Sequence, residues 1–233
     1  MPSDVMRTHS QCCESVLTAA VEDYLRTIFC LSARDEATST SAIARCLGLA
    51  TSTVSNMHRR LADAGLVRRP RPHRVTLTAH GGRHAVDVVR RNRLAKTFLA
   101  ESLGMSWDEI GAEADVLEHA ISPRLASRLT AALGNPTHDP YGNPIPPATG
   151  EHVESWPDSL SAMVPCRNFT VERIVDRDSD GLRLLAALGI YPGRVIARAQ
   201  AHPHGGQMCV EFDEGHPQEL TAALGGLIYG RAA

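Results

Sequence analysis

Nothing in the chain approaches the roughly 20 consecutive apolar residues needed to span a bilayer, and its N-terminal segment is polar, without the apolar core of a secretory signal. No membrane association is expected, and the protein reads as cytoplasmic. Its six cysteines (Cys12, Cys13, Cys30, Cys46, Cys166, Cys209) include no CxxC pair, so neither a zinc knuckle nor a disulfide framework is indicated and a reducing compartment is expected. A general basic coat is missing as well, with 24 basic against 26 acidic residues. Any charge that serves a polyanion has to be local. There is no GxSxG elbow, HExxH, Walker-type phosphate loop or GxGxxG fingerprint, so an enzyme with a small-molecule substrate is not expected.

At 233 residues and 43% hydrophobic content, the chain is long enough for two compact domains with buried cores. Residues 1–18 are expected to be a disordered tail. Val21, Tyr24, Leu25, Ile28 and Leu31 then repeat at helical spacing, with Asp23 off that stripe. Ser41 to Leu49 reads as a short helix ended by Gly48, with Leu49 packing beyond it. Thr51 or Ser52 can cap a further helix that runs to Ala64 and stops at Gly65.

That further helix puts Val54, Met57, Leu61 and Ala64 on one face and Thr51, Ser52, Thr53, Ser55, Asn56, Arg59 and Arg60 mostly on the others. Small hydroxyl and amide side chains at a helix N-terminus suit phosphate and base-edge contacts, because they approach a groove closely. Leu66 to Arg69 and Arg74 to Thr78, parted by the Pro70–Pro72 bend, read as a β-hairpin wing. Between Ala50 and Val75 six arginines (Arg59, Arg60, Arg68, Arg69, Arg71, Arg74) face one acid, Asp63, an excess that favours a polyanion by counterion release. A hairpin with arginines is, taken alone, equally a solvated edge. With two helices before it, the unit reads as a winged helix-turn-helix whose DNA contacts are Thr51, Ser52, Thr53, Ser55, Asn56, Arg59, Arg60, Arg71 and Arg74.

A long helix is expected from His80 to Leu103, followed by helical stretches from Trp107 to Ala120 and Ser122 to Leu133. The wing does not need this much helix, so pairing with a second copy into a homodimer is expected. Within it, Asp115, Glu118 and His119 fall at i, i+3 and i+4, so one helix face offers two carboxylates and an imidazole to a divalent cation. On the helix alone, the same spacing also suits an exposed face that makes salt bridges. The residues after Pro147 read as a linker, and short β-like runs follow at 168–175, 194–202 and 207–212, with a helix from Asp180 to Leu188. Asp176, Asp178, Asp180 and Gly181 open like a calcium loop, but Ala187 holds its twelfth position, so they read as an acidic turn. His202, His204 and His216 receive no role.

The segments VEDYLRTI (21–28), TVS (53–55), RNRLAKTFL (91–99), EADVLEHAIS (113–122) and DPYGNPIP (139–146) resemble the diphtheria-toxin-repressor family of iron- and manganese-dependent transcriptional regulators. The resemblance runs over roughly residues 19–147, more weakly beyond. It implies a mainly α architecture: a winged helix-turn-helix over 19–79, a helical dimerisation and metal-binding domain over 80–147, a linker over 148–160 and an SH3-like small β domain over 161–233. It also implies primary metal ligands at Asp23, Asp115, Glu118 and His119. Iron-sensing members carry Met and Cys where this chain has Asp23 and Asp115, and the harder, oxygen-rich set favours Mn(II), with Fe(II) as the alternative. The family's second site does not carry over, because Asn92 and Lys96 replace its His and Glu, Arg26 replaces a glutamate of manganese members, and Gly181 stands near another ligand position. One metal site per chain is expected. The implied function is repression of metal-uptake genes at a double-stranded operator, with metal fixing the reading head against the dimerisation region. A winged-helix regulator governed by an organic ligand is the alternative.

Overall fold

A computed structural model describes residues 17–71, 74–150, 152–201, 206–213 and 217–232, with the side chains of 70 and 71 left aside. Most of the expected tail, Cys12, Cys13, the side chain of Arg71, and His202, His204 and His216 lie outside the described residues. The chain divides into two compact units. One comprises residues through Ala95 with Asp115–Asn135 and Ile145–Ser155; the other comprises Lys96–Ala114, Pro136–Pro144 and Trp156 onward.

The first unit begins with α1 (Ala19–Ala33), α2 (Thr40–Leu47) and α3 (Thr51–Asp63), followed by β1 (Val67–Arg71) and β2 (Arg74–Leu77). Tyr24, Leu25, Ile28 and Leu31 of α1 pack with Ile43, Val54, Leu61, Val67 and Val75 in one apolar core. Ser39 caps α2 by accepting the Ala42 N–H at 3.2 Å, and Gly48 ends it at φ 64°, a left-handed turn that glycine adopts without strain. Two local expectations change here. Leu49 is 40% exposed instead of packed, although its N–H closes the helix on the Ala44 carbonyl. The residue at the N-cap of α3 is Ala50, without a side-chain hydrogen bond, so Thr51 and Ser52 sit in the first turn with exposed side chains.

β1 and β2 pair antiparallel, with a register irregularity between Arg68 and Arg71. The Thr78 hydroxyl donates to the Gly65 carbonyl at 2.6 Å and accepts the Gly81 N–H at 3.0 Å, which starts α4 (Ala79–Leu103) directly after the hairpin. Next in the chain come α5 (Trp107–Leu117), of which Asp115 onward belongs to this unit, and α6 (Pro123–Ala132). The helix expected to carry Asp115, Glu118 and His119 ends at Leu117. Its last turn closes through the Ala120 and Ile121 N–H groups on the Leu117 carbonyl, and the Ser122 cap and Pro123 then start α6. Glu118 and His119 therefore stand on the closing turn. Ile145–Ser155 belongs to this unit: Arg93 grips Glu154 through two hydrogen bonds of 2.7 and 3.0 Å.

The second unit is built on β3 (Asp158–Ser159), β4 (Cys166–Ile174), β5 (Val195–Ala201), β6 (Gln207–Glu211), β7 (Gln218–Thr221) and β8 (Ile228–Arg231), with short helices α7 (Leu160–Met163), α8 (Ser179–Ala187) and α9 (Ala222–Gly225). The strands form one antiparallel sheet in the order β3-β8-β4-β5-β6-β7. The DPYGNP segment is a turn closed by Asp139, whose carboxylate accepts the Tyr141 and Asn143 N–H groups and the Asn143 side-chain amide. Asn143 in turn accepts from Arg173 of β4. The calcium-like acids are each used otherwise: Asp176 pairs with Lys96, Asp178 caps α8 and Asp180 meets Arg183. The fold is thus the mainly helical winged unit, helical region and small antiparallel sheet expected from the sequence. Among the described residues, no helix is long and apolar enough to cross a membrane.

Candidate metal centre and nucleic-acid interface

Asp23 and Glu22 project from neighbouring positions of α1, and both reach His119, which stands on the turn after α5. The His119 Nδ1 lies 2.6 Å from Glu22 Oε2, and its Nε2 lies 3.1 Å from Asp23 Oδ1. Glu118 Oε1 is 3.6 Å from the same Nε2. Asp23, Glu118 and His119 each offer a ligand atom, and these atoms all lie within 4.8 Å of one another.

Arg91 of α4 holds this group in place from behind. One of its nitrogens donates to the Glu118 backbone carbonyl and the other to Glu22, each at 2.7 Å. Ligating histidines are commonly oriented by a carboxylate on the far ring nitrogen, and Glu22 occupies that position. Glu22 and Arg91 were not singled out in the sequence. The only signal for Glu22 was its place beside Asp23, because the pairing depends on tertiary structure.

Glu118 is fully buried, and neither carboxylate oxygen accepts a hydrogen bond. Burial pushes its carboxyl up to about 7; Arg26 opposes that rise and Asp115 adds to it. A buried acid this poorly satisfied is unfavourable unless it is protonated or compensated by positive charge, which Arg26, 3.3 Å from its Oε2, supplies in part. Two carboxylates and an imidazole around such a group fit a divalent cation with hard-to-borderline ligand preference.

Asp115, the fourth expected ligand, is not in that cluster. Its Oδ1 accepts from Arg26 at 2.6 Å and from the Asn92 amide at 2.9 Å, and its side chain is 51% exposed. The same Arg26 lies 3.3 Å from Glu118 Oε2. Lys96, expected to exclude a second cation, is buried and paired with Asp176.

In the winged unit, Val54 and Leu61 anchor α3 in the core, while Thr51, Ser52, Thr53, Ser55, Asn56, Arg59 and Arg60 are all exposed. On the hairpin, Arg68, Arg69 and Arg74 are exposed as well. Each expected DNA-contact residue whose side chain is described therefore lies at the surface. A helix edged by hydroxyls, an amide and arginines beside a basic hairpin has the chemistry to meet phosphates and base edges.

Comparison with known proteins matches the same segments. A family model described as "Iron dependent repressor, N-terminal DNA binding domain" covers residues 16–71, and one described as "Iron dependent repressor, metal binding and dimerisation domain" covers residues 78–147. The iron-dependent repressor IdeR of Mycobacterium tuberculosis is 38% identical over 130 residues, which is 56% of this chain and 56% of that protein. The chain thus spans little more than half the length of this curated relative. The diphtheria toxin repressor of Corynebacterium efficiens is 29% identical over 192 residues, 77% of this chain and 83% of the relative. A solved structure described as a manganese-dependent transcriptional repressor in complex with manganese superposes with a TM-score of 0.83 at 38% identity, over 91% of this chain and 100% of that one. The manganese regulator SloR superposes at 0.78 with 29% identity, over 93% and 100%. Members of the matched family are DNA-binding repressors and not enzymes. The chain belongs to the diphtheria-toxin-repressor family of metal-dependent regulators.

Proposed function

We propose that the chain is a manganese-responsive DNA-binding repressor of metal-uptake genes, acting as a homodimer with one cation per protomer. The observation that carries this reading is the convergence of Asp23 from α1 with His119 and the fully buried Glu118 from the turn after α5. Those three residues would hold the cation, with Asp115 joining once parted from Arg26. A bound divalent cation would supply the positive charge that lets Asp23 and Glu118 remain ionised side by side.

The remaining steps belong to the chain's own residues. With a cation held there, His119 would donate its Nδ1 proton to Glu22 and turn its Nε2 lone pair toward the space between Asp23 and Glu118. Closure of the three ligands fixes α1 to the turn after α5. Because α1 and α3 share one core, that closure also fixes the reading helix. Such a switch operates only to the extent that the DNA-competent arrangement binds the ligand more tightly. Around the centre, Glu22, Asp23, Asp115 and Glu118 meet the guanidinium groups of Arg26 and Arg91. With all four carboxylates ionised, the residual charge matches a single divalent cation.

The oxygen-rich donor set supports Mn(II). Iron is the second reading, favoured by the 38% identity to IdeR. The test is selection of duplex DNA from a random pool by the purified chain, with Mn(II), with Fe(II) under anaerobic conditions, and with chelator. A sequence enriched only with Mn(II) supports the proposal. Enrichment only with Fe(II) transfers it to iron, and sequence-specific binding that survives chelation overturns it in favour of an organic-ligand regulator.

A further inference from the structure

We infer that Arg26 is an intramolecular competitor for the cation: by holding Asp115 and touching Asp23 and Glu118, it sets the metal concentration at which the centre fills. This inference rests on the metal centre described above. Arg26 lies one helical turn beyond Asp23 on α1. Its Nη1 is 2.6 Å from Asp115 Oδ1 and 3.3 Å from Glu118 Oε2, and its Nη2 is 3.7 Å from Asp23 Oδ1. A single guanidinium therefore contacts all three carboxylates expected to serve as ligands.

The side chain is 19% exposed, so solvent weakens these contacts only in part. Charge complementarity favours this arrangement, since the guanidinium partly compensates acids that would otherwise repel one another. An arginine does not leave by losing its proton, because its pKa lies far above any working pH. It vacates the ligands only by moving. A divalent cation at the same carboxylates meets a fixed positive charge at close range, and Asp115 becomes a ligand only after the Arg26 contact breaks. Asn92, whose amide also holds Asp115 at 2.9 Å, keeps that carboxylate oriented without adding charge.

Competition lowers apparent affinity by the fraction of molecules in which the ligands are free. A purely structural arginine has the opposite signature, because its removal loosens the ligands and weakens metal binding. The two roles therefore differ in the sign of one measurement.

The test is calorimetric titration of Mn(II) into the full chain and into Arg26→Gln and Arg26→Lys, with melting temperatures taken with and without metal. Arg26→Gln is expected to bind Mn(II) about tenfold or more tightly than the wild type, because a close like charge has gone. Its metal-free melting temperature should fall while its Mn(II)-induced rise grows. Arg26→Lys keeps the charge but loses the fork and should fall between the two; it also decides the question should Arg26→Gln not fold without metal. Equal or weaker Mn(II) binding by Arg26→Gln, or by Arg26→Lys if that variant alone folds, overturns the inference while leaving the metal centre intact. Absence of Mn(II) binding in the wild type and in both variants overturns the inference together with the centre.

Discussion

The imidazole of His119 lies between two adjacent acids of α1, with Nδ1 2.6 Å from Glu22 and Nε2 3.1 Å from Asp23, although 96 positions separate His119 from Asp23 in sequence. This contact joins the first helix of the reading head to the turn after α5. It gives the two acids different tasks: Asp23 stands with Glu118 among the ligand candidates, and Glu22 orients the ring from the other side.

Glu22→Gln should therefore leave the fold intact and weaken Mn(II) binding about 10- to 100-fold, the usual effect of removing a carboxylate behind a ligating histidine. Calorimetry measures the affinity and circular dichroism checks the fold. Affinity equal to that of the wild type would mean that Glu22 does not orient His119.

Arg59 and Arg60 are exposed on α3, next to its exposed hydroxyl and amide side chains. Replacing either by Ala should weaken operator binding and lower the slope of log affinity against log salt by about 0.9 for each phosphate that is no longer neutralised. Fluorescence anisotropy at several salt concentrations measures that slope. An unchanged slope would place both arginines away from the phosphates.

The start of α4 gives a paired stability test. A Cβ on Gly81 would come within 1.9 Å of the Leu66 carbonyl oxygen, whereas one on Gly82 would meet nothing within 4 Å. Gly81→Ala should destabilise by about 2 kcal/mol or more, because rigid backbone has to move. Gly82→Ala should stabilise by about 0.5–1 kcal/mol through helix propensity. Urea unfolding of the two variants checks both signs.

Several features of the fold were legible in the residues alone. Tyr24, Leu25, Ile28 and Leu31 repeat at helical spacing and are buried together, and the alternation of apolar and polar positions on α3 separates its core face from its reading face. Gly48 and Gly65 marked the ends of α2 and α3, and both adopt positive φ. The end of α5 was hidden, because Asp115, Glu118 and His119 keep helical spacing through a turn that closes on Leu117. β8 was hidden for another reason. Gly230 reads as a turn residue, yet it lies within the strand, where a Cβ would meet the Thr170 carbonyl oxygen at 1.9 Å. At the centre, Glu118 and His119 were picked out with Asp115 by helical spacing, and Asp23 was added by the family resemblance. The Arg26 contact with Asp115 was not legible, because no local pattern reports which of several acids an arginine will choose.

The His80 and His84 rings of α4 face each other, with their Nε2 atoms 3.2 Å apart. Burial, and then the neighbouring His80, hold His84 below its ordinary value of 6.5; Arg83 acts in the same direction, while Asp87 and Glu22 oppose. A histidine with a depressed folded pKa contributes stability above its unfolded pKa and loses that stability as pH falls through 6.5. Between about pH 7.5 and 5.5, the metal-free wild type should therefore lose more melting temperature than His84→Gln. Parallel curves for the two proteins would show that His84 carries none of the acid sensitivity.

The central claim is that one divalent cation joins α1 to the turn after α5 through Asp23, Glu118 and His119. Its most direct measurement is a Mn(II) titration of the full chain followed by electron paramagnetic resonance, with Asp23→Ala alongside. The account predicts a single bound Mn(II) per protomer in the wild type and loss of that signal in Asp23→Ala, with the fold retained. Undiminished Mn(II) binding by Asp23→Ala, or two tightly bound ions per wild-type protomer, would contradict it.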